Sequence, residues 1–255
     1  MINMKALHIT ILSIIALALV AFMVLLLRGD IDFKKMYKKS KLVATETYNV
    51  EDVKSINIDV KSSDINITKS SDNKIKIEVY SYSEKDSKVD LKDNIVNIES
   101  KQRHTGFMLF GGGCKVLVYV PENYEGKFSI DATSGDVYSK LDTFNDYKIN
   151  LTSGDIEIAN LKSLEGKTTS GDLELGKITS YIDYKTTSGD YEIDSIKVEK
   201  DSYINATSGD VEIGEVEDAY VETSVKSGDV KIKENDRKAE YVLKIKTTSG
   251  DIEVG

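Results

Sequence analysis

The sequence contains few of the residues that catalysis or covalent cross-linking requires. Of its 255 residues, one is cysteine (Cys114), one is proline (Pro121), two are histidine and none is tryptophan. A single cysteine cannot form a disulfide within the chain, so it gives no information on the redox compartment. The histidines, His8 and His104, are far apart, and no His or Cys pair has the spacing of metal ligands. We therefore expect no enzyme activity, no cofactor and no metal centre of that kind.

Positive charge is outnumbered by negative charge. Lysine and arginine total 34 against 43 aspartates and glutamates, which gives a net charge of −9 and a pI near 5.0. Because nucleic-acid binding needs a clustered basic surface, we expect no nucleic-acid partner. Arginine is confined to Arg28, Arg103 and Arg237, which disfavours a β-helix enzyme acting on acidic polysaccharides. That enzyme remains a minor alternative.

One long apolar run lies near the amino terminus. Residues 7–27, LHITILSIIALALVAFMVLLL, contain no Asp, Glu, Lys or Arg. Twenty-one such residues suffice to cross about 30 Å of hydrocarbon as a helix. No small-x-small cleavage site follows the run. We predict a short tail over 1–6 and an uncleaved single-pass transmembrane helix over 7–27.

A basic juxtamembrane linker is predicted over 28–48. Its positive residues are Arg28, Lys34, Lys35, Lys38, Lys39 and Lys41. Basic residues beside a span favour the cytoplasmic side, but long domains are translocated regardless of such charges. This basic collar is also suited to anionic lipid or an anionic wall polymer. We expect the carboxy-terminal domain to be extracellular, although the collar argues for the opposite orientation.

A serine-glycine-aspartate triplet recurs through the second half of the chain. Its serines are Ser134, Ser153, Ser170, Ser188, Ser208, Ser227 and Ser249. Apolar and polar residues alternate on both sides of each triplet, as in TTSGDYEI over 186–193, which is typical of strands with one buried face. A period of about 19 residues predicts a repeat architecture. Antiparallel hairpins are disfavoured because Asn-Gly turn signals are missing.

The predicted fold is all-β, a parallel β-solenoid whose regular rungs occupy 128–255. Each rung holds two short strands joined at the triplet, and stacking of successive rungs buries their apolar faces. The last triplet copy is expected to form an open terminal rung that pairs with another chain, because an uncovered rung exposes backbone donors and acceptors. This gives a possible route to self-association through the carboxy-terminal rung.

The triplet is best explained as a structural corner. Glycine permits positive φ, aspartate braces the turn through backbone N–H groups, and serine is expected to point inward. The corner glycines are Gly135, Gly154, Gly171, Gly189, Gly209, Gly228 and Gly250. The competing hypothesis is a calcium array, but charges at rung spacing repel by only about 1 kcal/mol in water, so calcium is not required. The calcium candidates are Asp136, Asp155, Asp172, Asp190, Asp210, Asp229 and Asp251.

The section over 49–127 is predicted to be an irregular β cap. An eighth copy of the pattern, SINIDVKSSDINI, occupies 55–67, and strand candidates without a corner follow at 74–82, 93–100 and 115–121. The segment TGFMLFGGG over 105–113 is expected to pack over the cap, or to contact a partner or the membrane.

The order VLVYVPENYEGKFSIDATSGDV over 116–137, followed by the repeated triplet units, resembles the bacterial putative-adhesin family of β-strand-repeat domains. That family was formerly described as a domain of unknown function. The resemblance spans roughly residues 50–255. It implies a β-solenoid, often with one amino-terminal membrane helix and in some members linked to cell-envelope stress operons. It carries no catalytic residues.

Two functional hypotheses follow. The first is a membrane-anchored, non-catalytic adhesin or binding module on the cell surface, with a cell-wall polymer or an envelope protein as partner. The second is a structural or regulatory component of the cell envelope. Outward-facing aromatic residues would favour binding, and the candidates are Tyr138, Tyr181, Tyr203 and Tyr220.

Overall fold

The computed structural model describes residues 40–101 and 113–255. The tail, the predicted transmembrane segment 7–27, linker residues 28–39 and the segment 102–112 lie outside the described residues, together with His8 and His104. Across the described ranges, no helix has the length and apolar character needed to span a membrane.

The described residues form an all-β structure of eighteen strands with two short 3-10 helices, Val50–Asp52 and Glu84–Asp86. The strands of the first half are β1 (Lys41–Asn49), β2 (Ser55–Lys69), β3 (Lys74–Ser81), β4 (Ser87–Lys92), β5 (Ile95–Ser100), β6 (Cys114–Val120), β7 (Lys127–Ser134), β8 (Val137–Ser139) and β9 (Asp146–Ser153). Those of the second half are β10 (Ile156–Ser170), β11 (Leu173–Ser188), β12 (Tyr191–Lys197), β13 (Ser202–Ser208), β14 (Val211–Glu217), β15 (Ala219–Ser227), β16 (Val230–Ile232), β17 (Tyr241–Ser249) and β18 (Ile252–Val254).

Parallel pairing between successive triplet units builds a β-solenoid. We name each rung by the serine of its triplet. Strand residues before the triplets stack in one sheet, face I, and strand residues after the triplets stack in another, face II. The register follows the triplets, since Ser134 pairs with Ser153, Ser153 with Ser170 and Ser170 with Ser188. In β10 and β11 the second strand of one rung continues without interruption into the first strand of the next.

The last two rungs are exchanged relative to their order in the sequence. Ser208 pairs with Ser249, not with Ser227, and Ser249 pairs in turn with Ser227. Face II has the same order, with β18 between β14 and β16. The expectation that rungs stack in chain order, with the carboxy-terminal rung open, is therefore wrong at this end. The carboxy-terminal rung is covered on both sides, and the Ser227 rung is the outermost rung described.

Burial explains this exchange. The inward side chains of the Ser249 rung, including Leu243, Ile245, Ile252 and Val254, are at most 1% exposed. At the positions paired with these four, the Ser227 rung has the smaller or more polar Val221, Thr223 and Val230, and only Ile232 is as large. The more apolar rung thus occupies the interior position, where hydrophobic burial contributes most.

The Ser62 copy is a true rung, because β2 pairs in parallel with β7 and brings Ser62 opposite Ser134. The described residues between these serines therefore leave the rod after β2 and return to it at the adjacent rung. They form a cap in which β5 and β6 extend the two halves of β2 in parallel, while β3 and β4 add antiparallel strands. Residues 41–48, which the sequence predicts as linker, belong instead to β1, which pairs antiparallel with β3.

Candidate functional site

The triplet corners form a continuous ladder of hydrogen bonds between rungs. Each aspartate N–H donates to Oδ1 of the aspartate in the adjacent rung, as in Asp190 to Asp172 at 2.9 Å and Asp210 to Asp190 at 2.8 Å. The same bond joins Asp251 to Asp210 and Asp229 to Asp251. The aspartates therefore brace neighbouring rungs against each other and do not brace their own turns.

The remaining corner N–H groups bond in the opposite direction along the rod. Gly171 N–H donates to the Ser188 carbonyl at 3.0 Å, and Leu173 N–H donates to the Asp190 carbonyl at 2.9 Å. Each triplet corner except that of the outermost Ser227 rung is thus fixed by bonds to both of its neighbours. Since an unpaired backbone group at a packed position is costly, this arrangement explains why the triplet recurs almost unchanged.

The corner glycines meet two separate requirements. All seven have φ between +118° and +144°, which side chains on L-residues rarely allow. A Cβ on Gly189 would also lie 2.0 Å from the carbonyl oxygen of Gly171 in the adjacent rung. Glycine therefore permits both the bend and the close approach of successive corners.

The corner serines face solvent, so the expectation that they point inward is wrong. Six of the seven are exposed and Ser134 is half-buried. The inward residue lies two positions earlier, where Thr168, Thr186 and Thr247 are buried. Their hydroxyls have partners, because Thr168 lies 2.8 Å from the Tyr184 hydroxyl and Thr186 donates to the Tyr191 hydroxyl at 2.8 Å. Burial raises the pKa of both tyrosines well above its ordinary value.

The seven calcium candidates stack along one edge of face II, beside a column of glutamates. Six of the seven, together with Asp64, use Oδ1 as the acceptor of the corner ladder. Within residues 40–101 and 113–255, no group of three or more His, Cys, Asp or Glu side chains is arranged to hold a metal ion.

The outer surface of face I contains a groove with a volume of about 530 Å³. It crosses the Ser62, Ser134, Ser153, Ser170 and Ser188 rungs near the start of their first strands. Its lining residues are mainly polar: Ser55, Asn57, Lys127, Ser129, Asp146, Lys148, Lys162, Ser163, Glu165, Ser180 and Tyr181. Phe128 and Tyr147 lie beneath the groove in the buried core, where their rings stack with centroids 5.0 Å apart.

Contacts across the rungs hold the polar groups of the groove in place. The Ser163 hydroxyl donates to Asp146 Oδ1 at 2.6 Å, and Lys127 Nζ lies 3.8 Å from Asp146 Oδ2. The Tyr181 hydroxyl donates to Glu165, while Lys200 Nζ lies 4.1 Å from the centre of the Tyr181 ring. Burial, together with the bond to Glu165, raises the pKa of Tyr181. The groove therefore presents fixed donors, acceptors and charges of both signs.

Of the four tyrosines singled out from the sequence, only Tyr181 lines this groove. Tyr138 lies on face II and donates to Asp136 Oδ2 at 3.2 Å. Tyr203, 43% exposed, and Tyr220 lie on face I at rungs beyond the groove. Sequence reasoning missed Lys127, Asp146, Lys162 and Glu165. Their only signal is that they occupy outward positions early in successive rungs.

Comparison with known families settles the relationship suggested by the repeat. The family model described as Toastrack DUF4097 matches residues 53–255, which include the Ser62 rung, the rest of the cap and every later rung. The chain belongs to the Toastrack DUF4097 family. This match extends the Toastrack domain through the irregular cap as well as the regular rungs. A comparison with curated proteins gives no match.

Solved structures resemble the Toastrack domain at low sequence identity. A putative adhesin from Bacteroides fragilis is 16% identical, with 86% of this chain and 99% of that chain covered and a TM-score of 0.43. A putative cell adhesion protein from Clostridium sporogenes is 12% identical, with 84% and 98% covered and a TM-score of 0.40. A putative lipid binding protein from Parabacteroides distasonis is 11% identical, with 86% and 100% covered and a TM-score of 0.41.

Proposed function

We propose that this chain is a non-catalytic binding module of the cell envelope, tethered by a transmembrane helix over 7–27 and displayed at the cell surface. The observation that carries the proposal is the polar groove of face I. Its side chains project from rungs that are locked to one another by the corner ladder, so the site is organised before a ligand arrives. Preorganisation of this kind reduces the entropy lost on binding.

The shape and chemistry of the groove favour an extended, hydroxyl-rich polymer such as a cell-wall polysaccharide. Five rungs at about 4.8 Å per rung make the groove roughly 19 Å long, which is more than a small molecule needs. Hydroxyl, amide and carboxylate groups suit sugar hydroxyls, and Lys127, Lys148 and Lys162 provide cations for an anionic polymer. Tyr181 provides an aromatic surface at one end.

Binding of the full chain, purified in detergent, to isolated cell-wall polysaccharide tests this proposal. Tyr181→Ala and Lys162→Ala should each weaken binding several-fold, because each removes a group from the groove lining. Tyr203→Ala is the matched control, since it removes an exposed tyrosine from the same face outside the groove. Equal binding by all three variants and the wild-type chain would rule out the groove as the site.

A second function, as a structural or regulatory envelope component, is favoured by one observation, the basic collar over 28–41. The collar favours a cytoplasmic domain, where an adhesin could not act. Protease treatment of intact cells distinguishes the two functions. Cleavage within 40–255 supports surface display, whereas full protection, with cleavage only after lysis, supports the second function.

A further inference from the structure

The Ser227 rung, formed by β15 and β16, ends the rod in an incomplete way. At positions that are buried in the rungs below, its apolar side chains are partly uncovered. Val230 is 45% exposed, whereas the equivalent Val211 and Ile252 are 1% exposed. Val225 and Ile232 are half-buried, and both pack against the core. Another strand laid on this rung would cover all three.

The backbone of this rung has the corresponding open hydrogen-bonding groups. In the other corners, the glycine N–H and the N–H after aspartate donate to the next rung. No described rung lies beyond Gly228 and Val230, so their N–H groups have no such acceptor in the described part of the chain. Asp229 N–H is bonded to Asp251, but Oδ1 of Asp229 receives no N–H from a further described aspartate.

Only part of this edge is blocked. The Asn235 side chain accepts from Val221 N–H at 2.9 Å and donates to the Val221 carbonyl at 3.0 Å, as a paired strand would. That contact closes the start of β15. The later part, from Thr223 through the corner to Ile232, has no such cover among the described residues.

Charge indicates which kind of strand would fit. Lys226 occupies the position held by threonine in the six other triplet rungs, and Lys231 occupies one held by glutamate in five of them. Lys231 already pairs with Glu253 of the rung below, and Lys233 is exposed beside it. A second copy of this rung would bring the same lysines together, and edge lysines are a known defence against such pairing. An acidic strand would meet them favourably.

We propose that the edge from Thr223 to Ile232 is a docking site for an extended acidic strand of another protein, which adds to the solenoid as its next rung. Main-chain hydrogen bonds provide affinity in this mode of recognition, while side chains at alternate positions provide specificity. Such a strand carries aliphatic residues over Val230 and Ile232 and carboxylates over Lys226 and Lys231. The proposal is independent of the groove on face I.

The probe is a fluorescein-labelled synthetic peptide with the sequence of residues 202–217. This segment has acidic residues Asp210, Glu212, Glu215 and Glu217 and no lysine or arginine, and within the chain it pairs in parallel with the Ser249 rung. Fluorescence anisotropy should show saturable binding to the full chain in detergent. The variant Lys231→Glu should bind several-fold more weakly, because the register of the neighbouring rungs places Glu212 of the peptide opposite residue 231, where an attractive charge contact becomes repulsive.

Two controls keep the result specific. Lys92→Glu, an exposed substitution in the cap, should leave binding unchanged. A peptide with Glu212→Lys should reverse the order and prefer the Lys231→Glu variant. Absence of saturable binding, or equal affinity for the wild-type chain and the Lys231→Glu variant, would overturn the proposal. Sedimentation showing that the wild-type chain self-associates, and that Lys231→Glu shifts this equilibrium, would assign the edge to a second copy and also overturn the proposal.

Discussion

Replacement of Gly189 by alanine is the sharpest test of the corner geometry. Gly189 has φ of +144°, and a Cβ added there would lie 2.0 Å from the Gly171 carbonyl oxygen and 2.6 Å from the Gly171 carbonyl carbon. Both of these atoms belong to backbone of the adjacent rung, so no side-chain rotation relieves the overlap. The two rungs must separate locally by about 1.4 Å or more to restore an ordinary contact.

The cost can be estimated from the bonds that this separation breaks. Three hydrogen bonds join the corners: Gly171 N–H to Ser188, Leu173 N–H to Asp190, and Asp190 N–H to Asp172 Oδ1. Their net contribution is about 1 kcal/mol each. The disallowed φ adds about 1–3 kcal/mol of backbone strain. Gly189→Ala should therefore lower the free energy of unfolding by about 4–6 kcal/mol.

Urea unfolding of the full chain, followed by circular dichroism and tyrosine fluorescence, measures this effect. Gly113→Ala is the matched control, because φ is not positive there and the nearest atom to an added Cβ would be Asp64 Oδ2 at 3.8 Å. The control should change stability by less than about 1 kcal/mol. A Gly189→Ala chain within about 1 kcal/mol of wild type would show that the corner adapts easily, and the explanation of the repeated glycine would be wrong.

Three further predictions concern the corner ladder, the buried tyrosines and the rung order. Asp190→Ala should lower the free energy of unfolding by about 1 kcal/mol, because Asp210 N–H loses its acceptor. Asp190→Asn retains an oxygen at that position and should lower it by less. Equal losses of stability in urea unfolding would contradict the role of the aspartate ladder. Burial raises the pKa of four tyrosine hydroxyls, so at alkaline pH the folded state keeps protons that the unfolded state releases. The free energy of unfolding should therefore fall above about pH 10, by up to about 1.4 kcal/mol per pH unit for each tyrosine. They are Tyr124, Tyr147, Tyr184 and Tyr191. Alkaline urea titrations should show a shallower fall for Tyr184→Phe/Tyr191→Phe than for the wild-type chain, and an unchanged slope would refute the burial argument. On oxidation, the double variant Ser208→Cys/Ser249→Cys should form a disulfide, because these residues lie in adjacent rungs. The double variant Ser208→Cys/Ser227→Cys should not, because its residues lie two rungs apart. The reverse result would show that the rungs stack in the order of the sequence.

Much of the candidate site consists of outward-facing side chains, and the alternation of apolar and polar residues does not indicate which of them lie together. The period-2 pattern marks Lys127, Asp146 and Glu165 as outward, but it gives no sign that they gather at one groove. Their proximity depends on which strand starts align from rung to rung, which the variable loops between rungs decide. Tyr181 stands out as a candidate because an outward aromatic residue is unusual, whereas a lysine or glutamate at such a position is ordinary.

The amino-acid sequence by itself determined the rung. A triplet repeated about every 19 residues, flanked by alternating apolar residues, specifies two strands and a corner, and glycine specifies the bend. Only the tertiary structure decided which rung lies beside which. Since all triplet rungs carry nearly the same corner bonds, local pairing scarcely distinguishes one neighbour from another. The more apolar Ser249 rung occupies the interior position because its side chains gain more from burial, and the lysine-bearing Ser227 rung remains outermost. This order of rungs depends on the packing of the whole core, which no local sequence pattern specifies.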